Sequence, residues 1–201
     1  MTVSELFIKV KHGEPMLSVA SIEFDTSGIV GNVECPPLRQ LLLASSGELT
    51  ELGLVPGDLR ENVLIDCPEL YSLESGTVLR IGSALIRLTF HCEPCKHILE
   101  KVSRAKILHK RGYLGSFLNA GTIRVYDGVE VLGREYEHVP YELSHRLEWY
   151  LSKSRSTVGV LDLLHEIGLS RSYARAIPNL LKKVAPELRD RVRFANPRHS
   201  L

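Results

Sequence analysis

The chain has 201 residues, of which 44% are hydrophobic, 24% charged and 6% aromatic; this excludes disorder and collagen-like repeats and suits one large domain or one domain plus a small module. Its 25 lysines and arginines against 24 acids leave a formal net charge of +1, so total charge draws it to neither nucleic acid nor an anionic membrane, and any anion site must be local. No run approaches eighteen apolar residues, and Met1-Thr2-Val3-Ser4-Glu5 lacks the basic start and apolar core of a signal peptide, so a cytoplasmic protein with no membrane partner is expected.

Short apolar runs rich in Val, Ile and Leu between Gly, Pro and Ser predict strands up to about residue 130, beginning with Leu6-Phe7-Ile8-Lys9-Val10 and Ile22-Glu23-Phe24. The clearest is Thr77 to Phe90, where Ala84, Ile86, Leu88 and Phe90 share one face and Ser83, Arg87 and Thr89 the other, with Gly82 as a bend or bulge between two halves. Thr122–Tyr126 and Val129–Leu132 read as a strand pair joined through Asp127-Gly128. Many short strands with turn signals predict a barrel-like or sandwich core. From Pro140 onward helical spacing takes over: Leu143, Leu147 and Leu151 lie four apart, and Val160, Leu161, Leu164 and Ile167 fit an amphipathic helix ended by Gly168. Ser170 is the expected N-cap of a helix through Ser172 to Val184, which Pro178 kinks or ends. The expected organisation is a β domain over 1–135 and a helical module over 136–201.

The sharpest local feature is Phe90-His91-Cys92-Glu93-Pro94-Cys95-Lys96-His97, directly after the clearest strand. Two thiols and two imidazoles fall together there, whereas Cys35 and Cys67 stand alone. Four readings are open. Structural zinc normally wants two such cysteine pairs. A dithiol switch wants a helix N-terminus in a βαβ setting. One thiolate could bind a soft, high-valent metal carried by an organic cofactor. The cysteines could also be inert at a strand end. From Lys96 to Arg111, Lys96, Lys101, Arg104, Lys106, Lys110 and Arg111 face only Glu100, so six cations less one acid leave +5. Such a run is a solvated helix face or, beside a ligand thiolate, a cradle for a phosphate-bearing cofactor that also lowers the thiol pKa.

The blocks Leu54-Val55-Pro56-Gly57-Asp58-Leu59-Arg60-Glu61-Asn62-Val63, Ser75-Gly76-Thr77 through Ile81-Gly82, and Cys92-Glu93-Pro94-Cys95 resemble, in order and spacing, the MOSC domain, named for the C-terminal domain of molybdenum-cofactor sulfurases. Arg111-Gly112, Gly121-Thr122-Ile123-Arg124 and Asp127 resemble its closing strands, and the likeness spans roughly residues 5 to 133. It implies a mainly β fold, a MOSC-type β-barrel, here followed by a small C-terminal α-helical module. It further implies binding of the molybdenum cofactor (molybdopterin), with Cys95 as metal ligand and catalytic residue. Cys92 matches a cysteine of some members that is not the essential ligand. Arg60 and Asn62 fall on an Arg-x-Asn element that contacts the cofactor, and Glu93, Lys96 and Arg111 are the further expected cofactor contacts, Arg111 at the phosphate. Related stand-alone proteins reduce N-hydroxylated bases and amidoximes, so a small-molecule substrate and a flavin or iron-sulfur electron donor are the expected partners, whose identities do not transfer. Pyridoxal phosphate is not expected. Gly31-Asn32-Val33-Glu34 departs from the Gly-Asp and nearby His of many members, and the N-terminal domain of the amidoxime-reducing enzymes has no counterpart before the first strand. Two alternatives stand beside a molybdenum-dependent reductase of N-hydroxylated compounds. One is a non-catalytic carrier of sulfur or cofactor; the other is a DNA-binding regulator.

The second alternative rests on residues 157–176, which read as helix, Gly turn, helix. They weakly resemble the helix-turn-helix of O6-alkylguanine-DNA alkyltransferases, with Arg175 at the arginine of the Ala-Arg-Ala element. No cysteine follows Cys95, so alkyl transfer is excluded, and Pro197-Arg198-His199 is at most a remnant of the acceptor motif. Arg171, Arg175, Lys182 and Lys183 could meet phosphates, but Glu187 and Asp190 dilute them, and covering an apolar barrel face is the preferred reading over nucleic-acid binding.

Overall fold

Period-two apolar runs build strands β1 (Val3–Ile8), β2 (Leu17–Val19), β3 (Ser21–Asp25), β4 (Gly28–Ile29), β5 (Leu41–Ser45), β6 (Val63–Ile65), β7 (Thr77–Ile81), β8 (Ala84–His91), β9 (Tyr113–Phe117), β10 (Gly121–Arg124) and β11 (Val129–Arg134), with short helices α1 (Ser46–Glu51), α2 (Lys96–Leu99) and α3 (Arg104–Ile107) between them. The computed structural model describes residues 1–194. It divides into two units, Met1–Cys35 with Arg39–His138, and Pro36–Leu38 with the chain from Val139.

In the first unit eight strands curl into a half-barrel in the order β11-β7-β8-β9-β5-β6-β1-β2, and β10-β3-β4 form a second, three-stranded sheet. Pairing is antiparallel except between β5 and β6, which α1 connects as a parallel crossover. Leu6, Ile22, Leu43, Val63, Ile65, Leu79, Ile86, Leu88 and Ile123 fill the core. A second cluster, including Leu49, Leu59, Leu64, Ile98 and Ile107, fastens the short helices against β5 and β6.

Two expectations change here. Thr77 to Phe90 is two strands, because β7 and β8 pair from Ile81↔Ala84 onward and Gly82-Ser83 is a two-residue hairpin loop. Gly82 takes φ +55°, and a Cβ on it would stand 2.2 Å from Asp127 Oδ2. The segments around Asp127-Gly128 do not pair with each other: β10 joins β3 while β11 joins β7, in different sheets. There the positive φ belongs to Tyr126 (73°) rather than to Gly128, and the Asp127 carboxylate closes the turn by accepting from Arg124 N–H (2.8 Å).

The second unit contains α4 (Leu143–Lys153), β12 (Val158–Gly159), α5 (Val160–Glu166), α6 (Ile177–Leu181), α7 (Pro186–Arg189) and β13 (Val192–Arg193), the two short strands pairing in parallel. Leu147, Leu151, Leu163, Leu164, Ile167, Ile177 and Leu181 are its core. The buried stripe of α5 runs through Leu163 and Leu164, and Leu161 is exposed, contrary to the expected face. Arg146, fully buried, donates to the carbonyls of Pro140 (2.8 Å), Tyr141 (2.7 Å) and Ile167 (3.3 Å), which offsets the cost of burying a charge. Ser170 does act as an N-cap, accepting from Ser172 N–H (3.2 Å), but the element it starts is a 3-10 helix, Arg171–Ala176. Pro178 then sits in the first turn of α6, where its missing N–H costs nothing.

Candidate functional site

The site begins with a fault in the β-ladder. Between β8 and β9 the partners step from Leu88↔Gly115 to His91↔Tyr113, one residue more on β8 than on β9. This bulge breaks the in-out alternation, so Thr89 and Phe90 are both buried, and it re-aims the chain that follows. That chain is Cys92 to Cys95, after which Cys95 caps α2 without a side-chain cap bond.

The two thiols part company. Cys92 is 2% exposed, and its Sγ accepts from Arg111 Nη1 (2.8 Å) and Arg39 Nη2 (3.7 Å). Arg111 Nη1 also donates to the Glu93 carbonyl (2.6 Å), and Arg39 pairs with the Glu93 carboxylate (3.4 Å). Cys95 is half-buried. Burial alone would raise its thiol pKa, but the Arg111 guanidinium, the Ile98 and His97 N–H groups and Arg60 together hold it below the ordinary thiol value. Cys35, by contrast, is pushed up by burial in spite of Arg39 and Lys9.

Arg60 comes from a strained turn. Its φ is +60°, in the left-handed region that residues other than glycine seldom adopt. The turn is closed by Arg60 N–H to Gly57 O (3.0 Å) and by Gly57 N–H to Glu61 Oε1 (2.6 Å). Glu61 is fully buried, and burial raises its carboxyl pKa above the usual range. Lys9 follows β1, and its backbone is fixed by the Asn32 side chain and the Val33 backbone: its N–H donates to Asn32 Oδ1 (2.6 Å) and its carbonyl accepts from Val33 N–H (2.7 Å). Its ammonium pKa is lowered by burial and then by Arg60, with Cys35, Arg111 and Cys95 also acting on it, so Lys9, Arg60 and Arg111 share one electrostatic neighbourhood with the Cys95 sulfur.

The expected contacts therefore sort into groups. Cys95, Arg60 and Arg111 come together, with Cys92 and Glu93 behind them as the seat of Arg111. Asn62 is buried and spends its amide on backbone, Oδ1 accepting from Leu42 N–H (3.0 Å) and Nδ2 donating to Phe7 O (3.2 Å), so it ties β1 to β5 where a pterin contact was expected. Lys96 is exposed. Of the other cations in its run, Lys101 pairs with Asp58 and Lys110 with Glu48 (2.7 Å), so most of that run is a solvated face. The sequence reading missed Lys9 and Arg39, which lie far from the motif along the chain; only the extra cation after the first apolar run hinted at Lys9.

The histidines do not join the thiols as a zinc site. His91 lies tilted against Tyr113 (4.4 Å between ring centres) and meets His109 edge-on (5.3 Å); burial, then His109, lowers its pKa to about 4. Among the described residues no three His, Cys, Asp or Glu side chains converge as a metal site. Beside Arg60 opens a cavity of about 420 Å³ whose lining includes Phe7, Met16, Asp58, Arg60, His97 and Lys101.

These features coincide with a known domain. Residues 39–130 match the MOSC domain family. The MOSC segment thus spans the strained turn, the bulge, Cys92, Cys95 and Arg111, while Lys9 comes from outside it. Among solved structures, the YuaD protein from Bacillus subtilis is 20% identical, covering 68% of this chain and 98% of its own with a TM-score of 0.58. YiiM from Geobacillus stearothermophilus is 13% identical over 92% of this chain and 99% of its own (TM-score 0.59), and YiiM from Escherichia coli is 19% identical over 89% and 92% (TM-score 0.51). These likenesses show the MOSC fold. No curated protein matches the chain.

The donor set fits the cofactor associated with MOSC domains. One half-buried thiol held toward its ionised form offers a single soft ligand, so the metal must bring its remaining ligands with it. Three cations around that thiol suit a group that is itself anionic. In the second unit Arg175 is exposed on the 3-10 helix, a short element compared with a groove-reading helix, and Pro197-Arg198-His199 lies outside the described residues.

Proposed function

We propose that the chain binds the molybdenum cofactor with Cys95 as the protein's sulfur ligand and reduces small N-hydroxylated compounds. The observation that carries the reading is the Cys95 thiol, held below its ordinary pKa against burial by Arg111, two backbone N–H groups and Arg60. Cys95 supplies the sulfur, while Lys9, Arg60 and Arg111 balance the negative charge of the pterin's phosphate and dithiolene. Arg111 is fixed for this by Cys92 Sγ and the Glu93 carbonyl, so its guanidinium does not have to be ordered when the cofactor arrives, while the Gly57–Glu61 turn fixes the backbone that carries Arg60. When bound, the cofactor supplies a two-electron redox change that allows oxygen to leave an N–OH group.

The overall reaction balances as N–OH plus two electrons and two protons giving N–H and water, with the electrons from a flavin or iron-sulfur partner. His97 Nε2 or Nδ1 is the candidate proton source, since it lines the cavity beside Arg60, whereas His91 stays neutral in its aromatic pocket. A carrier that holds sulfur between Cys92 and Cys95 is disfavoured by the sealing of Cys92 beneath two arginines. The test is molybdenum and pterin analysis of wild type and Cys95→Ala from a host that makes the cofactor. Loss of metal in the variant alone is expected; equal content in both overturns the assignment.

A further inference from the structure

The run Cys92-Glu93-Pro94-Cys95 has the spacing of a two-thiol ligand pair for soft cations, yet its two sulfurs are not equally available. Cys95 is half-buried, whereas Cys92 is almost fully covered and its Sγ accepts from two guanidiniums. Arg111 is the inner of the two, itself buried; Arg39 is the outer one, with its side chain a quarter exposed.

Arg39 is held at both ends. Its backbone runs into Gln40, which is buried and tied down by three bonds: its N–H donates to Gly115 O (3.0 Å), its Nε2 to Thr26 O (2.6 Å), and its Oε1 accepts from Phe117 N–H (2.7 Å). Its guanidinium is held by the Glu93 carboxylate (3.4 Å), one residue past the sulfur it covers. The segment between the thiols has little slack, since Cys92 N–H donates to Gly112 O (2.9 Å), Pro94 has a fixed φ, and the Cys95 carbonyl accepts from Ile98 and Leu99 N–H (3.1 Å each). A cation that is to bridge both sulfurs must displace two hydrogen-bond donors from Cys92 and then sit against two positive charges. We infer that Arg39 is a specificity-determining residue of this site: with Arg111 it withholds Cys92 from incoming metal, so the pair presents one thiol and refuses soft cations that need two. What this means for molybdenum rests on the reading above, but the withholding itself does not, and it is measurable on the cofactor-free chain, so the two can fail separately.

The probe is phenylarsine oxide, which captures two neighbouring thiols together: two S–As bonds form, and the oxygen on arsenic leaves as water with both thiol protons. It is added to the full chain from a host that does not make the cofactor, and the product is read on the tryptic peptide Leu88–Lys96, which carries both sulfurs. The variants are Arg39→Gln, Arg39→Lys and Glu93→Gln, each first checked for a wild-type melting curve. Both side chains are about a quarter exposed, so neither change opens a hole in the core. Wild type and Arg39→Lys should resist bridging. Arg39→Gln should bridge about tenfold faster or more, the worth of one charged hydrogen bond, and a further Cys92→Ser change should abolish it. Glu93→Gln, which keeps the cation but loosens its anchor, should fall between. Ready bridging in wild type, wild-type rates in the folded Arg39→Gln and Glu93→Gln proteins, or bridging in Arg39→Lys as fast as in Arg39→Gln overturns the proposal.

Discussion

Arg60 and Arg111 stand beside Cys95, and Arg60 and the buried Glu61 of the same turn each carry a structural cost. Arg60 in the left-handed region costs roughly 1–2 kcal/mol that glycine would not incur. Arg60→Gly should therefore raise stability by about 1 kcal/mol in denaturant melts while lowering the molybdenum retained, and a variant that loses stability would show that the strain is illusory. Arg111 exerts the largest of the effects that offset burial at Cys95. Arg111→Gln should move the pH midpoint of Cys95 alkylation by iodoacetamide upward in a Cys35→Ser, Cys92→Ser background, and an unmoved midpoint would remove Arg111 from the account. Glu61, raised by burial, keeps its proton in the fold at pH values where the unfolded chain has lost it. Its contribution is present in full below the ordinary glutamate value and disappears as pH rises through the raised folded value. Glu61→Gln, which can still accept from Gly57, should flatten that decline in melts taken across the same range.

At the scale of elements, the strand runs were readable because alternation of Ile, Leu and Val reports burial directly, as at Ala84, Ile86 and Leu88. What alternation cannot report is where a run folds back: Gly82 fits a bend as well as a hairpin, and only the Asp127 carboxylate against its α-carbon makes the reversal specific. The bulge before Cys92 was likewise invisible, since it is a relation between β8 and β9 rather than a property of either. The motif made Cys95 legible, but Lys9 comes beside it, and Arg39 beside Cys92 and Glu93, only through the tertiary fold, and the residue type of Asn62 does not say that Leu42 and Phe7 claim its amide. Gly112 shows the same dependence. It takes φ +141°, and a Cβ there would come within 2.6 Å of Leu42 Cδ1 and 2.8 Å of Leu43 O, where β9 approaches β5 beside Arg111. Gly112→Ala should cost about 2 kcal/mol or more in equilibrium unfolding; a neutral effect would mean the strands part easily.

For the whole molecule, a net charge of +1 conceals a separation of charge within the first unit, where three cations share the field of one thiol while most of the conspicuous basic run faces solvent. The half-barrel supplies the rigid part of this arrangement, and two of its irregularities, the strained turn and the β8–β9 bulge, lie beside the sulfur. The most direct test is X-ray absorption at the molybdenum edge on metal-loaded wild type and Cys95→Ser. The account predicts one fewer sulfur neighbour in the variant, replaced by oxygen; an identical sulfur shell in both proteins would contradict it.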